Sequence, residues 1–157
     1  MKWSRPVSIF VALLTLTFLV VAASAAGLTP LQKAIQKGDI KKVTELLDKG
    51  AKINEWNFGT PLIMAASSGQ LQIAKLLIER GADLNMIGQN GWTALGCAAA
   101  EGHSDIVDLL ISKGADVDQA IQGMKTWAEW SRGLGTNLDQ KLSQGVMLIR
   151  KRAGQAY

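Results

Sequence analysis

The side chains able to do chemistry are few. The 157 residues include one His, His103, and one Cys, Cys97. A thiol and an imidazole can run nucleophilic catalysis when they meet and a third group orients the imidazole. No third orienting residue stands out around this pair. His103 follows Gly102 directly, which reads as a turn histidine. Cys97 stands beside Ala98-Ala99, which reads as a small buried hydrophobe, the usual state of a free Cys. The carboxylates are scattered over repeat positions (Asp83, Asp116, Asp118) and helix surfaces (Glu101, Asp105, Asp108). A Cys/His zinc site needs more ligands than one of each. No Gly-rich phosphate loop or metal motif is present. The expectation is a protein that is not an enzyme, with no metal and no cofactor.

The elements that position these residues repeat. Thr29, Thr60, Thr93 and Thr126 are spaced by 31, 33 and 33 residues, and Gly38, Gly69 and Gly102 keep the same steps, as do Gly50, Gly81 and Gly114. A period of this size marks a solenoid in which each unit is one supersecondary element. Within a unit, Thr followed by Pro30, Pro61 or Ala94 starts a helix, with the hydroxyl capping the first turn. Ala34, Ala65-Ala66 and Ala98-Ala99 are small residues that let that helix pack closely. A second helix carries apolar residues at helical spacing, such as Val43 and Leu47, Ile73 and Leu77, Ile106 and Leu110. Gly50, Gly81 and Gly114 follow it where a left-handed C-cap is expected.

These units resemble the ankyrin repeat. Thr60-Pro61-Leu62, Ala65-Ala66, Gly69, Leu76-Leu77, Gly81-Ala82-Asp83 and Asn85 carry the resemblance in one unit. Thr93, Leu95, Ala98-Ala99, Gly102-His103, Leu109-Leu110 and Gly114-Ala115-Asp116 carry it in the next. The resemblance implies an all-α ankyrin repeat solenoid of about three full helix-turn-helix repeats plus a degenerate C-terminal capping unit. The units are expected at about 29–59, 60–92 and 93–125 and the cap at 126–145, all within a domain spanning 26–145. A basic tail follows at 146–157. Three departures stand out. The helix-start His of the pattern is replaced by Gln32, Ile63 and Gly96, so its usual bond to the Thr is expected to be absent. The first connecting turn, Glu55 to Gly59, is two residues short. The usual turn Asp gives way to Gly88 and Ile121. Trp127 and Trp130, three apart on one helical face, are expected to seal the last hydrophobic layer.

The first 25 residues read as a cleavable signal peptide. Lys2 and Arg5 precede an uncharged apolar run at 7–23, and Ala23-Ser24-Ala25 fits the cleavage rule. The run is slightly short for a spanning helix, although an uncleaved anchor is the alternative. The whole chain carries 17 basic and 13 acidic side chains, net +4. Loss of Lys2 and Arg5 leaves 15 against 13, net +2, with no broad basic stripe for nucleic acid. The single Cys allows no intrachain disulfide. A periplasmic or secreted location is expected.

The resemblance places the binding surface on the turn tips and the exposed face of the first helices. Here the tips carry Trp56, Asn57, Phe58, Met86, Ile87, Gln89, Gln119 and Gln122. Trp92 and Lys125 fall just before the Thr positions, and Gln36, Lys37, Ser67, Ser68, Ala100 and Glu101 lie on the helices. Trp56, Phe58, Met86, Ile87 and Trp92 would form an apolar stripe, and aromatic and Met side chains are over-used at protein interfaces. With Lys125 they are the candidate protein-binding residues. The expected function is a non-enzymatic, monomeric interaction module that binds another protein of the bacterial envelope. An immunity-type inhibitor of a toxin or envelope enzyme is one alternative. A membrane-anchored structural scaffold is another, should the N-terminal helix be retained.

Overall fold

The computed structural model describes residues 27–57, 59–88, 91–131 and 138–154, without the side chains of 127, 130, 131 and 138–141. The signal segment at 1–25, Phe58, Gln89 and Gly133-Leu134-Gly135 lie outside the described residues.

Three of the four periodic Thr residues start helices. The Thr29 hydroxyl accepts a hydrogen bond from the Gln32 backbone N–H, Thr60 from Ile63 and Thr93 from Gly96, each at 3.2 Å. The helices so capped are α1 (Pro30–Gln36), α3 (Pro61–Ser67) and α5 (Ala94–Glu101). Each is about two turns long, too short to be stable alone in water. Packing holds them. Ala34, Ala65, Ala66, Ala98 and Ala99 are buried, and their small side chains let α1 stack on α3 and α3 on α5. Outside this row run α2 (Ile40–Asp48), α4 (Leu71–Glu79) and α6 (Ser104–Ser112), nine residues each. Val43, Leu77 and Leu110, none of them exposed, turn inward from the outer row to the shared core. Gly50, Gly81 and Gly114 end the outer helices at φ of +84°, +90° and +88°, a conformation that costs Gly little and L residues more.

The turns between units are tied to one another. The Asn54 side-chain carbonyl accepts from the Asp83 N–H at 2.9 Å, and that of Asn85 from the Asp116 N–H at 2.8 Å. The repeat distance of 31 residues from Asn54 to Asn85 thus becomes a ladder along the stack.

The fourth Thr behaves differently, and the expected cap boundary moves with it. Asp116 caps a helix directly, its carboxylate accepting from the Gln119 N–H at 2.9 Å. Ala120, Ile121 and Met124 follow at helical spacing and are buried. The chain therefore continues from unit three into α7 (Val117–Ser131) without a hairpin turn. Thr126 lies in mid-helix, where its hydroxyl donates to the Gln122 carbonyl at 3.0 Å. Gln119, Gln122 and Lys125, expected on a turn, are helical for the same reason. A second long helix, α8 (Leu138–Ala153), takes in most of the segment expected as a basic tail. α8 lies across α5 and also touches α6 and α7. Its buried Leu142 and Ile149 cover the open end of the stack. The side chains of Trp127 and Trp130 lie outside the described residues.

On α2 the exposed Glu45 carboxylate bridges Lys42 at 2.8 Å and Lys49 at 2.5 Å. Hydrogen bonds from Lys42 and then Lys49 hold its pKa down at about 2, against an ordinary 4.5. A depressed carboxyl pKa stabilises the fold above the unfolded value and ceases to as pH falls through the folded one. Glu45→Gln is therefore expected to remove a small pH-dependent component of stability between about pH 4.5 and 2. Since the pairs lie at the surface, molar salt should screen most of the same component. Melting curves of the two proteins at low and high salt across that range check this.

Candidate functional site

The two groups nearest to catalytic chemistry are both placed structurally. Burial, and secondarily the Glu101 charge, push the Cys97 thiol up to about 12. It is the thiolate that attacks electrophiles, so Cys97 is a poor nucleophile at neutral pH. Iodoacetamide at neutral pH is expected to leave it unmodified in the folded protein and to alkylate it in denaturant, as intact mass would report. Rapid labelling of the folded form would contradict this. His103 spans two units. Its Nε2 lies 3.2 Å from the Ser67 carbonyl oxygen, and its ring covers Gly69 so closely that an added Cβ there would sit 2.7 Å from Cε1. No hydrogen bond joins His103 to Cys97 among the described residues. No three metal-ligating His, Cys, Asp or Glu side chains converge among the described residues either.

The turn residues divide by exposure. Trp56 is 51% exposed and Ile87 50%. Each stands two residues beyond a ladder asparagine, Asn54 and Asn85, so the two occupy the same register in neighbouring turns. Met86 and Trp92 are half-buried, and Trp92 packs on the core. Phe58, which would complete the stripe, lies outside the described residues. Lys125 is not on this face: it is exposed on α7, beside α8. On the inner helices Gln36, Lys37, Ser67, Ser68 and Glu101 are exposed, whereas Ala100 is 8% exposed and belongs to the core. The structure thus brings Trp56 and Ile87 together in one register as exposed apolar groups and turns Trp92 partly inward.

The helix-start position, expected to lack its tie, has three different solutions. The buried Gln32 side chain accepts from the Thr29 N–H at 3.1 Å and donates to the carbonyls of Asn57 at 2.8 Å and Gly59 at 2.9 Å. The bond absent by sequence reasoning is therefore replaced in unit one, and Gln32 fastens that unit to the shortened turn. Asn57 adds a side-chain hydrogen bond to the Gly27 carbonyl. At Ile63 the tie is apolar: its Cδ1 lies over Gly88, 3.0 Å from where a Cβ would stand. That turn closes through the Gly88 N–H, which donates to the Trp92 carbonyl at 2.7 Å. At Gly96 the space is taken by Met124 from α7, whose Cγ lies 3.5 Å from an added Cβ. An amide in place of an imidazole is readable as a donor-for-donor exchange. The other two solutions depend on what the following turn or cap supplies.

Comparison with known proteins agrees with this geometry. The family model for ankyrin repeats in three copies matches residues 54–121, and a single ankyrin repeat model matches residues 26–58. The chain is 43% identical over 65 residues to the 2-5A-dependent ribonuclease of Mus musculus, covering 39% of this chain and 9% of the ribonuclease. It is 39% identical over 70 residues to the Notch-regulated ankyrin repeat-containing protein of Xenopus tropicalis, covering 41% of this chain and 61% of that protein. It spans a small part of the first and about three fifths of the second. Among solved structures, the ankyrin repeat domain of Bcl-3 is similar, with a TM-score of 0.57 and 33% identity over 59% of this chain and 42% of that one. Capped short helices, a stacked alanine core, left-handed glycines and tied turns all meet in residues 26–121, and the chain belongs to the ankyrin repeat family.

Proposed function

We propose that this chain is a non-enzymatic binding module, exported as a monomer to the periplasm or beyond, that grips one partner protein through its turns and the exposed face of its inner helices. Ankyrin repeats are a protein–protein interaction module, and stacked repeats offer an extended surface on a rigid frame. One observation carries the reading: Trp56 and Ile87 stand half-exposed at the same register of adjacent turns, fixed by the asparagine ladder. Large apolar groups held in place bury area on binding with little ordering cost. Export rests on the charge and hydropathy pattern of residues 1–25. Inhibition of a toxin or envelope enzyme is a particular form of the same activity, in which the partner's active site is what the turns cover.

The test is affinity capture of the tagged protein from its native envelope, beside a bait carrying Trp56→Ala and Ile87→Ala. One dominant protein retained by the first bait and lost from the second, at unchanged melting temperature, supports the reading. Equal retention by both baits contradicts it. The N-terminal mass of the captured protein tests export: a start at Ala26 supports it, and an intact Met1 favours the anchored scaffold.

A further inference from the structure

The cap carries a second surface, away from the turns. A groove of about 310 Å³ lies between α7 and α8, and among the described residues these two helices line it. Met124 and Leu142 form its floor and Val146 and Met147 its α8 wall, and Met147 is 56% exposed. Lys125 on α7 and Arg150 on α8 line it from either side. Neither has an ion-pair partner among the described residues. Arg152, two residues on, differs: it pairs with Asp108 at 3.0 Å and holds the end of α8 to α6. Glu129, the exposed carboxylate one turn beyond Lys125, does not line the groove.

We infer that this groove binds an amphipathic helical segment of another protein, apolar along one face and acidic along its edges. The apolar lining asks for aliphatic side chains. Met147, exposed on its wall, has a flexible thioether that adapts to varied partners. The two unpaired cations ask for carboxylates at the edges, which supply the missing counter-charge and suppress basic partners. Two helices side by side form a furrow that a third helix can fill ridge into groove. A small amphiphile such as a fatty acid would use the apolar lining but only one of the two cations, so a helix with carboxylates along both edges answers the charge pattern better. The inference goes beyond the turn surface and does not depend on it.

The probe is a labelled designed helical peptide with Leu along one face and Glu along both edges. Its twin has Lys in place of Glu. Fluorescence anisotropy against the purified chain is the readout. The acidic peptide is expected to bind on the order of tenfold more tightly than the basic twin at low salt. The double variant Lys125→Glu with Arg150→Glu should reverse that order. Lys41→Glu with Lys75→Glu, the same charge change on the exposed outer helices, should preserve it. Met147→Glu, at an exposed position that folding tolerates, should weaken the acidic peptide through both charge and lost apolar contact. Equal binding of the two peptides, no binding of either, or an order that survives the Lys125/Arg150 reversal would each overturn the inference. So would saturable binding of decanoate, abolished by the same double variant, with no peptide binding.

Discussion

Gly123→Ala is expected to detach the cap. The α-carbon of Gly123 faces the turn before Thr93, and an added Cβ would stand 2.2 Å from the Gly91 carbonyl oxygen and 3.1 Å from its carbon. Backbone atoms cannot rotate out of the way, so α7 must shift bodily. Alanine gains about 1 kcal/mol over glycine inside a helix. Overpacking a close contact costs about 1–3 kcal/mol and more where backbone must move, so the clash wins. Because the clash is with backbone, the upper end of that cost applies, and set against the gain it leaves a net loss of about 2 kcal/mol, which should fall on the cap first, since each element of a repeat stack contacts only its neighbours. Amide hydrogen exchange should speed up in α7 and α8 while α1 to α4 stay protected. Gly96→Ala is the contrasting case within the same packing. Its Cβ would meet Met124 Cγ at 3.5 Å and the Ala120 carbonyl oxygen at 3.6 Å, ordinary contacts. That substitution should be neutral or stabilise by up to about 1 kcal/mol. Thermal melts should show a lowered midpoint for Gly123→Ala and an equal or raised one for Gly96→Ala; a comparable fall in both would contradict the packing described for α7.

Gln32→Leu should have the second large effect, at the other end. Leucine keeps the volume but removes the amide that accepts from Thr29 and donates to Asn57 and Gly59. Gly59 is buried, and an orphaned buried polar group costs about 1–3 kcal/mol. Asn57 is half-buried and can recover part of its loss from water. A total of about 3 kcal/mol is expected, and the first unit should loosen before the rest. Gln32→Glu separates shape from donation. A carboxylate there would face two carbonyl oxygens with no proton to give. Its folded pKa would therefore rise above the unfolded value, and stability would increase as pH falls and the carboxyl regains a donor. Denaturant midpoints of Gln32→Glu that gain on those of the native protein as pH falls are the expected result. Equal pH dependence would remove the donor role.

The repeats were legible because one local rule is written several times. Thr at the cap, alanines on the inner helix and Gly at φ near +90° each need only their own unit. The end of the stack was not legible for the opposite reason. Thr126 keeps the period, yet Asp116 had already capped a helix, and a cap earlier in the chain overrides a Thr later in it. Gly123 and Gly145 carried a readable hint, as glycines inside otherwise helical patterns. Their reason appears only in three dimensions: Gly145 lets α8 approach α5, where a Cβ would come within 3.0 Å of the Ala99 carbonyl carbon and oxygen. Exposure within the apolar stripe was equally hidden, because Trp56 and Trp92 are the same residue type in different places. Half-exposed Trp56 points out from a tied turn, whereas Trp92 packs on the core. Lys125 moved furthest, from the expected position just before a helix-starting Thr to the cap groove, because the turn that would have carried it does not form.

If the stacked turns hold the partner, they must touch it in the cell. Site-specific photo-crosslinking in native cells reads that contact, with p-benzoylphenylalanine placed at Trp56, at Ile87 and at the exposed outer-helix residue Lys75. An adduct of one common mass is expected from positions 56 and 87 and none from 75. Adducts from 75 alone, or none from 56 and 87 while the protein is folded, would contradict it.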